Sequence, residues 1–299
     1  MFKSEKILSI ITINYNGLND TCELIESLPA DDKSLEVIVV DNASTQDEAT
    51  EIERRYPHVL VIRSDKNLGF AGGNNLGIKA AHGRYLFFLN NDTVLRSRQS
   101  EVRAQIQSLI NRLESSIEIA MICPKIRFSW GTNLIQYAGC TPLSHITLRN
   151  RSIGYGEEDH GQYDTPRPTP YVHGAAMMVK RKVIDRVGMM PECYFLYYEE
   201  LDWSEMIRRA GYEIWYDPAM TVYHKESQTT GQQSPLKTFY ITRNRLLFAK
   251  RNIQGGTRYL TYGYLIGIVA IRDLLKYLCQ GRTDLLKATI KGITNFIKQ

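Results

Sequence analysis

Residues 7–17 read ILSIITINYNG, and the same pattern recurs as LEVIVVDNAS at residues 35–44 and as YLFFLNNDT at residues 85–93. Each stretch is a short apolar run, rich in β-branched or aromatic residues, that is followed at once by Asn, Asp or Gly. Helical patterns separate these runs. The alternation is typical of βαβ units, so we predict an α/β fold with a mostly parallel central sheet flanked by helices.

The same patterns predict where the elements lie. We predict strands at residues 7–13, 35–40, 59–62, 85–89, 120–123, 171–179 and 213–216. We predict helices at residues 18–28, 45–56, 73–81, 181–187, 201–210 and 235–250, and again from residue 257 onward. Residues 127–170 lose both periodicities and collect Gly, Pro, Thr and Tyr, so we expect a long loop with short strands there.

The composition is that of an ordinary folded protein. Of its 299 residues, 43 % are hydrophobic and 23 % are charged, which argues against a disordered or wholly membrane-embedded chain. The five cysteines are scattered without CxxC spacing, so they indicate a reducing compartment rather than disulfides or a zinc site. No signal-peptide pattern opens the sequence, and the apolar stretch at residues 259–271 is shorter than the ~20 residues that cross a bilayer. We therefore expect a cytoplasmic protein.

Polar clusters follow four of the predicted strands, at residues 14–17, 41–44, 65–75 and 90–93. Ligands of open α/β sheets bind beyond the carboxyl ends of the strands, which is where these clusters fall. A turn explains any one cluster taken alone, but four on adjacent strands indicate a binding site. There is no GxGxxG after the first strand and no GxxxxGK[ST] anywhere, so neither the dinucleotide fingerprint nor the P-loop is available to hold a nucleotide.

Individual side chains in these clusters suit a nucleotide and a metal ion. Tyr15 can stack beneath a base, and Asp41 can accept a hydrogen bond from the imide N–H of uracil or thymine. Gly69 and Gly72 allow a backbone to approach a ribose or a diphosphate. Asp92 follows a very apolar strand, and its carboxylate can ligate Mg²⁺ or Mn²⁺, with a helix cap as the alternative role.

In this order, the four clusters resemble those of family 2 glycosyltransferases of the GT-A fold, the bacterial rhamnosyltransferase-like branch in particular. The resemblance covers residues 5–250 and continues through GAAMMVKR at 174–181, YEELD at 198–202, AGY at 210–212, VYH at 222–224 and YITRNR at 240–245. It implies a GT-A domain over residues 1–250, with a nucleotide-binding half at 1–125 and an acceptor and catalytic half at 126–250. A helical tail at residues 251–299 follows.

The resemblance also implies donor-binding positions. The nucleotide-sugar candidates are Thr12, Asn14, Tyr15, Asp41, Asn42, Asn67, Gly69, Gly72 and Asn90. Asn90-Asn91-Asp92 matches the metal-binding D-x-D of the family with its first acid replaced, so carboxylate ligation rests on Asp92. His224 stands where the family often has a further metal or diphosphate ligand, and a structural hydrogen bond is the alternative role for this histidine. The implied cofactor is a divalent cation, Mg²⁺ or Mn²⁺.

The stretch YEELD matches the family's Glu-Asp-x-Asp, whose second acid is the usual catalytic base and corresponds to Glu200. Three acids within four residues at a helix start repel one another, which can raise the pKa of one of them. Asp202 is the second candidate and Glu199 the third, although a favourable interaction with the helix dipole would account for either. His173 and Gly174 are expected to line the acceptor side.

These expectations converge on an inverting hexosyltransferase. It would move a sugar from a UDP- or dTDP-activated donor, with dTDP-rhamnose as one candidate, to a hydroxyl of a glycan or lipid-linked acceptor in bacterial cell-surface polysaccharide synthesis. Two alternatives stay open. One is a sugar nucleotidyltransferase, and the other is a non-catalytic glycan-binding or scaffold subunit with the same fold.

The tail is basic and amphipathic. Residues 250–299 hold nine basic and two acidic side chains, a net charge of +7 in a chain whose total is +5. Apolar residues repeat there at helical spacing, namely Leu286, Ile290, Ile293 and Ile297. This pattern predicts that residues 257–299 dock on the inner face of the cell membrane, with a homodimer seam or packing on the body as the alternatives. Alternation of basic residues with Leu and Ile argues against nucleic acid as the partner.

Overall fold

The computed structural model describes residues 6–29, 31–226 and 234–298. The first half contains β1 (Leu8–Asn14), α1 (Leu18–Ser27), β2 (Leu35–Asp41), α2 (Glu48–Arg55), β3 (Leu60–Arg63), α3 (Gly69–Ala80), β4 (Tyr85–Leu89), β5 (Thr93–Val94), α4 (Gln99–Glu114) and β6 (Ile119–Phe128). The second half contains β7 (Ile135–Tyr137), β8 (Arg167–Pro168), β9 (Ala176–Lys180), α5 (Arg181–Val187), α6 (Glu199–Arg209), β10 (Glu213–His224), α7 (Pro235–Asn252), α8 (Gly255–Tyr264), α9 (Ile271–Cys279) and α10 (Thr283–Ile297). A π-helical segment, Leu265–Ala270, joins α8 to α9.

The strands form one mixed sheet in the order β3-β2-β1-β4-β9-β6-β10-β5, with β7 on β6 and β8 on β10. The pairs within β3-β2-β1-β4 are parallel, β9 runs antiparallel to both of its neighbours, and β6 and β10 are parallel to each other. Because β1 and β2 pair in register from Leu8↔Leu35 to Asn14↔Asp41, the polar clusters that follow them lie side by side. The predicted mostly parallel α/β sheet is confirmed.

Several predicted elements differ from those observed, and the strand predicted to end at residue 123 continues to Phe128. Helix α3 begins at Gly69 rather than at residue 73, so the glycine-rich turn lies inside the helix. A Cβ added at Gly77 would overlap the side chain of Ile11, which shows how closely α3 lies on β1. The strand predicted at 171–179 starts only at Ala176, because residues 173–176 form a tight turn in which the Ala176 N–H donates to the His173 carbonyl (3.2 Å).

The last strand was predicted only in part, and one helix was not predicted. The strand predicted to end at residue 216 continues to His224, since a bulge between Asp217 and Thr221 accommodates Pro218 within the β6–β10 pairing. The whole of α4 was not predicted. It packs on the sheet through a buried stripe at helical spacing, namely Val102, Ile106, Leu109, Ile110 and Leu113.

The C-terminal helices pack on the body. Helix α10 lies against α7 through Leu285, Ala288, Thr289 and Gly292, which are buried. The predicted apolar stripe coincides with this face only in part, since Ile293 packs against the core whereas Ile290 and Ile297 remain 44 % and 69 % exposed. No helix in the described part of the chain is long and apolar enough to span a membrane.

Candidate functional site

A cavity of about 620 Å³ opens at the carboxyl edge of the sheet, where β1, β2 and β4 end. Its walls come from the loops after these strands, the start of α3, the end of β10, the loop before α6 and the start of α7. Eight residues proposed from the sequence line it, namely Tyr15, Asn42, Asn67, Gly69, Asn90, Asp92, His173 and His224. Donor-side, metal-side and acceptor-side candidates therefore meet at one cavity.

Four donor-side candidates lie behind this wall instead of on it. Asn14 and Asp41 are buried, and the Asn14 amide donates to the Asp41 carboxylate at 2.8 Å. The same carboxylate accepts from the Ser44 hydroxyl at 2.6 Å, so Asp41 is already used in joining the ends of β1 and β2. Thr12 is buried in β1, and Gly72 is buried inside α3. The structure thus gives these four positions a supporting place beneath the cavity.

The loop that enters α3 is held by two asparagines that line the cavity. The Asn42 side chain accepts from the Leu68 N–H (3.0 Å) and donates to the Gly69 carbonyl (3.2 Å). The Asn67 side chain accepts from the Gly69 N–H at 2.8 Å. Gly69 itself has φ +72°, and a Cβ there would overlap the carbonyl oxygen of Phe195. Glycine is required at this close approach.

Asp92 and His224 form the candidate metal site. An Asp92 Oδ1 atom lies 3.2 Å from His224 Nε2, and both side chains are buried. On the other side of the ring, His224 Nδ1 is 2.8 Å from Gln136 Oε1. Since an amide oxygen can only accept, Nδ1 donates to Gln136, and this contact turns Nε2 toward the Asp92 carboxylate.

This pair fits a divalent cation, since an imidazole nitrogen and a carboxylate oxygen face the same space. Within the described ranges no group of three or more His, Cys, Asp or Glu side chains could hold a metal. Two protein ligands would leave the other coordination positions for water and for phosphate oxygens, which is the usual arrangement for Mg²⁺.

The acceptor-side candidates adjoin this pair. The ring of His173 lies 6.0 Å from that of His224, and burial together with the neighbouring His224 lowers the pKa of His173 to about 3. His173 is therefore neutral at physiological pH. Gly174 faces Glu200, because a Cβ added at Gly174 would lie 3.9 Å from Glu200 Cδ and 3.8 Å from Phe70 Cζ. Glu200 thus reaches the turn that carries His173.

The three acids at the start of α6 have different surroundings. Burial raises the pKa of Glu200. Glu199 is buried with its Oε2 lacking a hydrogen-bond partner among the described residues, and burial and the Glu200 charge hold its pKa well above the usual range. Asp202 is fully buried and accepts from Tyr194 (3.0 Å), Asn252 (2.9 Å) and Arg251. The Asp202 carboxylate joins α6 to α7. Of the described residues that line the cavity none is one of these three acids, and Glu200 is the one that reaches its edge, at Gly174.

Sequence reasoning missed several cavity residues. Gln136 was not singled out, because its role depends on β7 pairing beside β10 through β6. Lys237 brings a cation to the cavity from the first turn of α7. The loop residues Phe195, Leu196 and Tyr197 also line it, and no local pattern marked them. Their proximity to YEELD in the sequence was the one available signal.

Comparisons with known proteins identify the family of the chain. The family model described as Glycosyl transferase family 2 matches residues 9–188. The chain is 26 % identical to the low-salt glycan biosynthesis hexosyltransferase Agl10 of Haloferax volcanii, over 96 % of this chain and 91 % of that protein. It is 23 % identical to the N-acetylglucosaminyl-diphospho-decaprenol L-rhamnosyltransferase of Mycobacterium tuberculosis, over 76 % of this chain and 78 % of that protein.

Solved structures show the same fold. A Pyrobaculum calidifontis mannosyltransferase in complex with GDP-Man and Mn²⁺ superposes with a TM-score of 0.57 at 14 % identity, over 97 % of this chain and 86 % of that one. TarS of S. aureus superposes with a TM-score of 0.54 at 15 % identity, over 87 % of this chain but only 43 % of that one. The GT-A fold and the rhamnosyltransferase-like resemblance are confirmed, and the chain belongs to glycosyl transferase family 2.

Proposed function

We propose that this protein is an inverting hexosyltransferase that moves a sugar from a nucleoside-diphosphate donor, UDP- or dTDP-linked, to a hydroxyl of a glycan or lipid-linked acceptor. The observation that carries the proposal is that Asp92 and His224 pair in the cavity wall, while Glu200 reaches the turn at Gly174 beside the cavity residue Phe70. Relatives described as a glycan biosynthesis hexosyltransferase and a diphospho-decaprenol L-rhamnosyltransferase support the substrate class. Rhamnose is accordingly one candidate sugar.

The donor would lie over the ends of β1, β2 and β4. Tyr15 is exposed at the rim, where its ring can stack on the base, and Asn42 and Asn67 hold the loop beneath. Asp92 and His224 would hold Mg²⁺ or Mn²⁺, which when bound offsets negative charge on the diphosphate. The Lys237 ammonium adds positive charge at the same cavity.

Glu200 would act as the general base. Its raised pKa makes the carboxylate a better proton acceptor than an ordinary glutamate, provided that the pH is high enough to ionise it. Glu200 takes the proton as the acceptor oxygen attacks the anomeric carbon from the side opposite the leaving diphosphate. A single displacement of this kind inverts the configuration at that carbon.

The test combines donor specificity with stereochemistry. The purified protein is incubated with UDP- and dTDP-sugars, Mg²⁺ or Mn²⁺ and a lipid-linked saccharide, and released nucleoside diphosphate and the product anomer are measured. We expect transfer with inversion, and we expect Glu200→Gln to lower kcat about 10²–10⁴-fold with the donor affinity retained. Retention of configuration, or full turnover by Glu200→Gln, would contradict the proposal. Donor binding without any release would instead favour a glycan-binding subunit.

We also propose that the protein works at a membrane surface, where a lipid-linked acceptor is presented. Four exposed aliphatic side chains share one face of the helical rod that α8, the π-helical segment and α9 form, namely Ile268 (59 % exposed), Ile271 (51 %), Leu275 (58 %) and Leu278 (64 %). Arg272 and Lys276 are exposed beside them. An apolar stripe flanked by cations matches an anionic leaflet, so peripheral attachment to the inner face of the cell membrane is the proposed location.

A further inference from the structure

The loop before α6 has an unusual backbone. Phe195, Tyr197 and Tyr198 have φ values of +69°, +70° and +81°, in the left-handed region that L-residues rarely adopt. Such a residue is strained unless its surroundings impose the conformation. Two of these residues line the cavity, and Glu200 follows two positions after the last of them. Residues 193–198, here called the cavity loop, are held in place from two sides.

On one side, the fully buried side chain of Asn244 in α7 holds the cavity loop. Its amide nitrogen donates to the carbonyl oxygens of Leu196 (2.7 Å), Tyr197 (2.9 Å) and Tyr194 (3.1 Å). Its oxygen accepts from Nε of Arg243 at 2.7 Å. Since carbonyls only accept and guanidinium only donates, this pattern fixes which end of the Asn244 amide faces the loop.

Neighbouring groups complete the attachment. The Arg243 guanidinium also donates to the carbonyls of Cys193 (3.2 Å) and Tyr194. On the opposite side, the Phe70 N–H at the start of α3 donates to the Phe195 carbonyl at 2.8 Å. The cavity loop is thus fixed between α7 and the donor-side turn at Gly69.

We propose that Asn244, oriented by Arg243, is a positioning residue that imposes the left-handed conformation of the cavity loop and so sets Glu200 and the loop residues against the bound donor. This inference rests on the proposed function. A misplacement of about 1 Å at a reacting centre can cost on the order of 10²-fold in rate, so loss of these hydrogen bonds should affect turnover far more than nucleotide binding. The side chains proposed to hold the donor base and the cation, namely Tyr15, Asp92 and His224, belong to other walls of the cavity.

The first measurement does not need activity. In the full-length protein, chymotrypsin can cut after Phe195, Leu196, Tyr197 or Tyr198 only when the cavity loop leaves its fixed conformation. We expect Asn244→Ala to raise the rate of cleavage within residues 193–198 at least tenfold at a temperature where the protein remains folded. Lys250→Ala, an exposed change on the same helix, should leave it unchanged. Unchanged cleavage in Asn244→Ala would overturn the inference even if the protein transferred no sugar.

The second measurement separates positioning from general loss of structure. We expect Asn244→Ala to lower kcat about 10²-fold while the Kd for UDP or dTDP changes less than threefold. Asn244→Ser keeps one hydrogen-bond donor, so its kcat should lie between those of the wild type and Asn244→Ala. Should Asn244→Ala fail to fold, Asn244→Ser carries both measurements. Equal losses of kcat, nucleotide affinity and melting temperature would indicate a structural role only and refute the inference. An inactive wild-type protein would instead contradict the proposed function, and the cleavage result would still decide the role of Asn244.

Discussion

Glu199 and Glu200 are adjacent in sequence, yet the helix start turns their side chains toward different environments. Glu200 contacts the turn at Gly174, next to the cavity. Glu199 is buried and has no hydrogen-bond partner for Oε2 within the described part of the chain. Burial raises the pKa of both carboxyls, and the neighbouring Glu200 charge adds to the effect of burial on Glu199, whose pKa lies well above the usual range. Glu199 is therefore the member of the pair whose ionisation folding opposes by two effects at once.

Glu199→Gln should therefore stabilise the protein at neutral pH. An acid whose pKa is raised by folding keeps its proton in the native state at pH values where the unfolded chain has released it, so stability falls as pH rises above the ordinary value of 4.5. Gln cannot titrate, and each kcal/mol regained should raise Tm by roughly 2–4 °C. Thermal melts at pH 4 and pH 7.5 measure this gain, with the exposed Glu118→Gln as control. A gain of equal size at both pH values would rule out the titration argument.

The sequence was a good guide to residues whose chemistry is exposed at a strand end, and a poorer one to residues that support them. Asp92, His224 and Asn67 lie on the cavity as expected. Asp41 does not, because its carboxylate accepts from two neighbouring side chains whose positions only the three-dimensional pairing reveals. Asp202 likewise binds residues of α7 about fifty positions away. Motif spacing reports residue type, whereas hydrogen-bond partners depend on distant parts of the chain.

At the scale of elements, α10 shows how an amphipathic pattern can identify a helix without identifying its contact face. The apolar stripe through Ile290 and Ile297 predicted the helix correctly, but the residues buried in α10 are Leu285, Ala288, Thr289 and Gly292. A Cβ added at Gly292 would lie 2.9 Å from the Phe239 carbonyl oxygen and 3.0 Å from Thr242 Cβ. Close approach of two helix backbones at this point requires a small residue, and Ile290 and Ile297 remain exposed.

A pair of glycine substitutions tests this close approach. Gly292→Ala should destabilise the protein by about 1–2 kcal/mol, because overpacking against α7 exceeds the gain in helix propensity. Gly263→Ala in α8 is the matched control, since Gly263 is exposed and has nothing within 4 Å of its added Cβ. That control should gain up to about 1 kcal/mol. Denaturant unfolding measures both, and stabilisation by Gly292→Ala would show that α10 does not pack closely on α7.

For the molecule as a whole, local patterns predicted the half of the sheet formed by β3, β2, β1 and β4, and much less of the half that contains β9, β6 and β10. Strands β1, β2 and β4 are largely apolar runs, and such runs predict a buried strand without knowledge of their neighbours. The extent of β10 beyond residue 216 depends on a bulge that lets Pro218 stay within the sheet, and bulges depend on the partner strand. The excess of basic residues in the tail was visible in the sequence. The sequence did not show which apolar side chains of the tail stay exposed, because that depends on how α10 packs on α7.

The exposed apolar stripe that includes Leu275 of α9 gives the last prediction, which concerns binding of the protein to a membrane surface. We expect the full-length protein to sediment with vesicles that contain phosphatidylglycerol, less with pure phosphatidylcholine, and less as salt rises, because screening weakens attraction between Arg272 or Lys276 and anionic headgroups. Leu275→Glu should lower the bound fraction at least fivefold. Ile117→Glu alters a side chain that is 74 % exposed in the turn between α4 and β6, and it should bind as the wild type does. Equal binding by Leu275→Glu and wild type would mean that α9 does not contact the bilayer, and loss of binding in both variants would mean that net charge alone drives attachment.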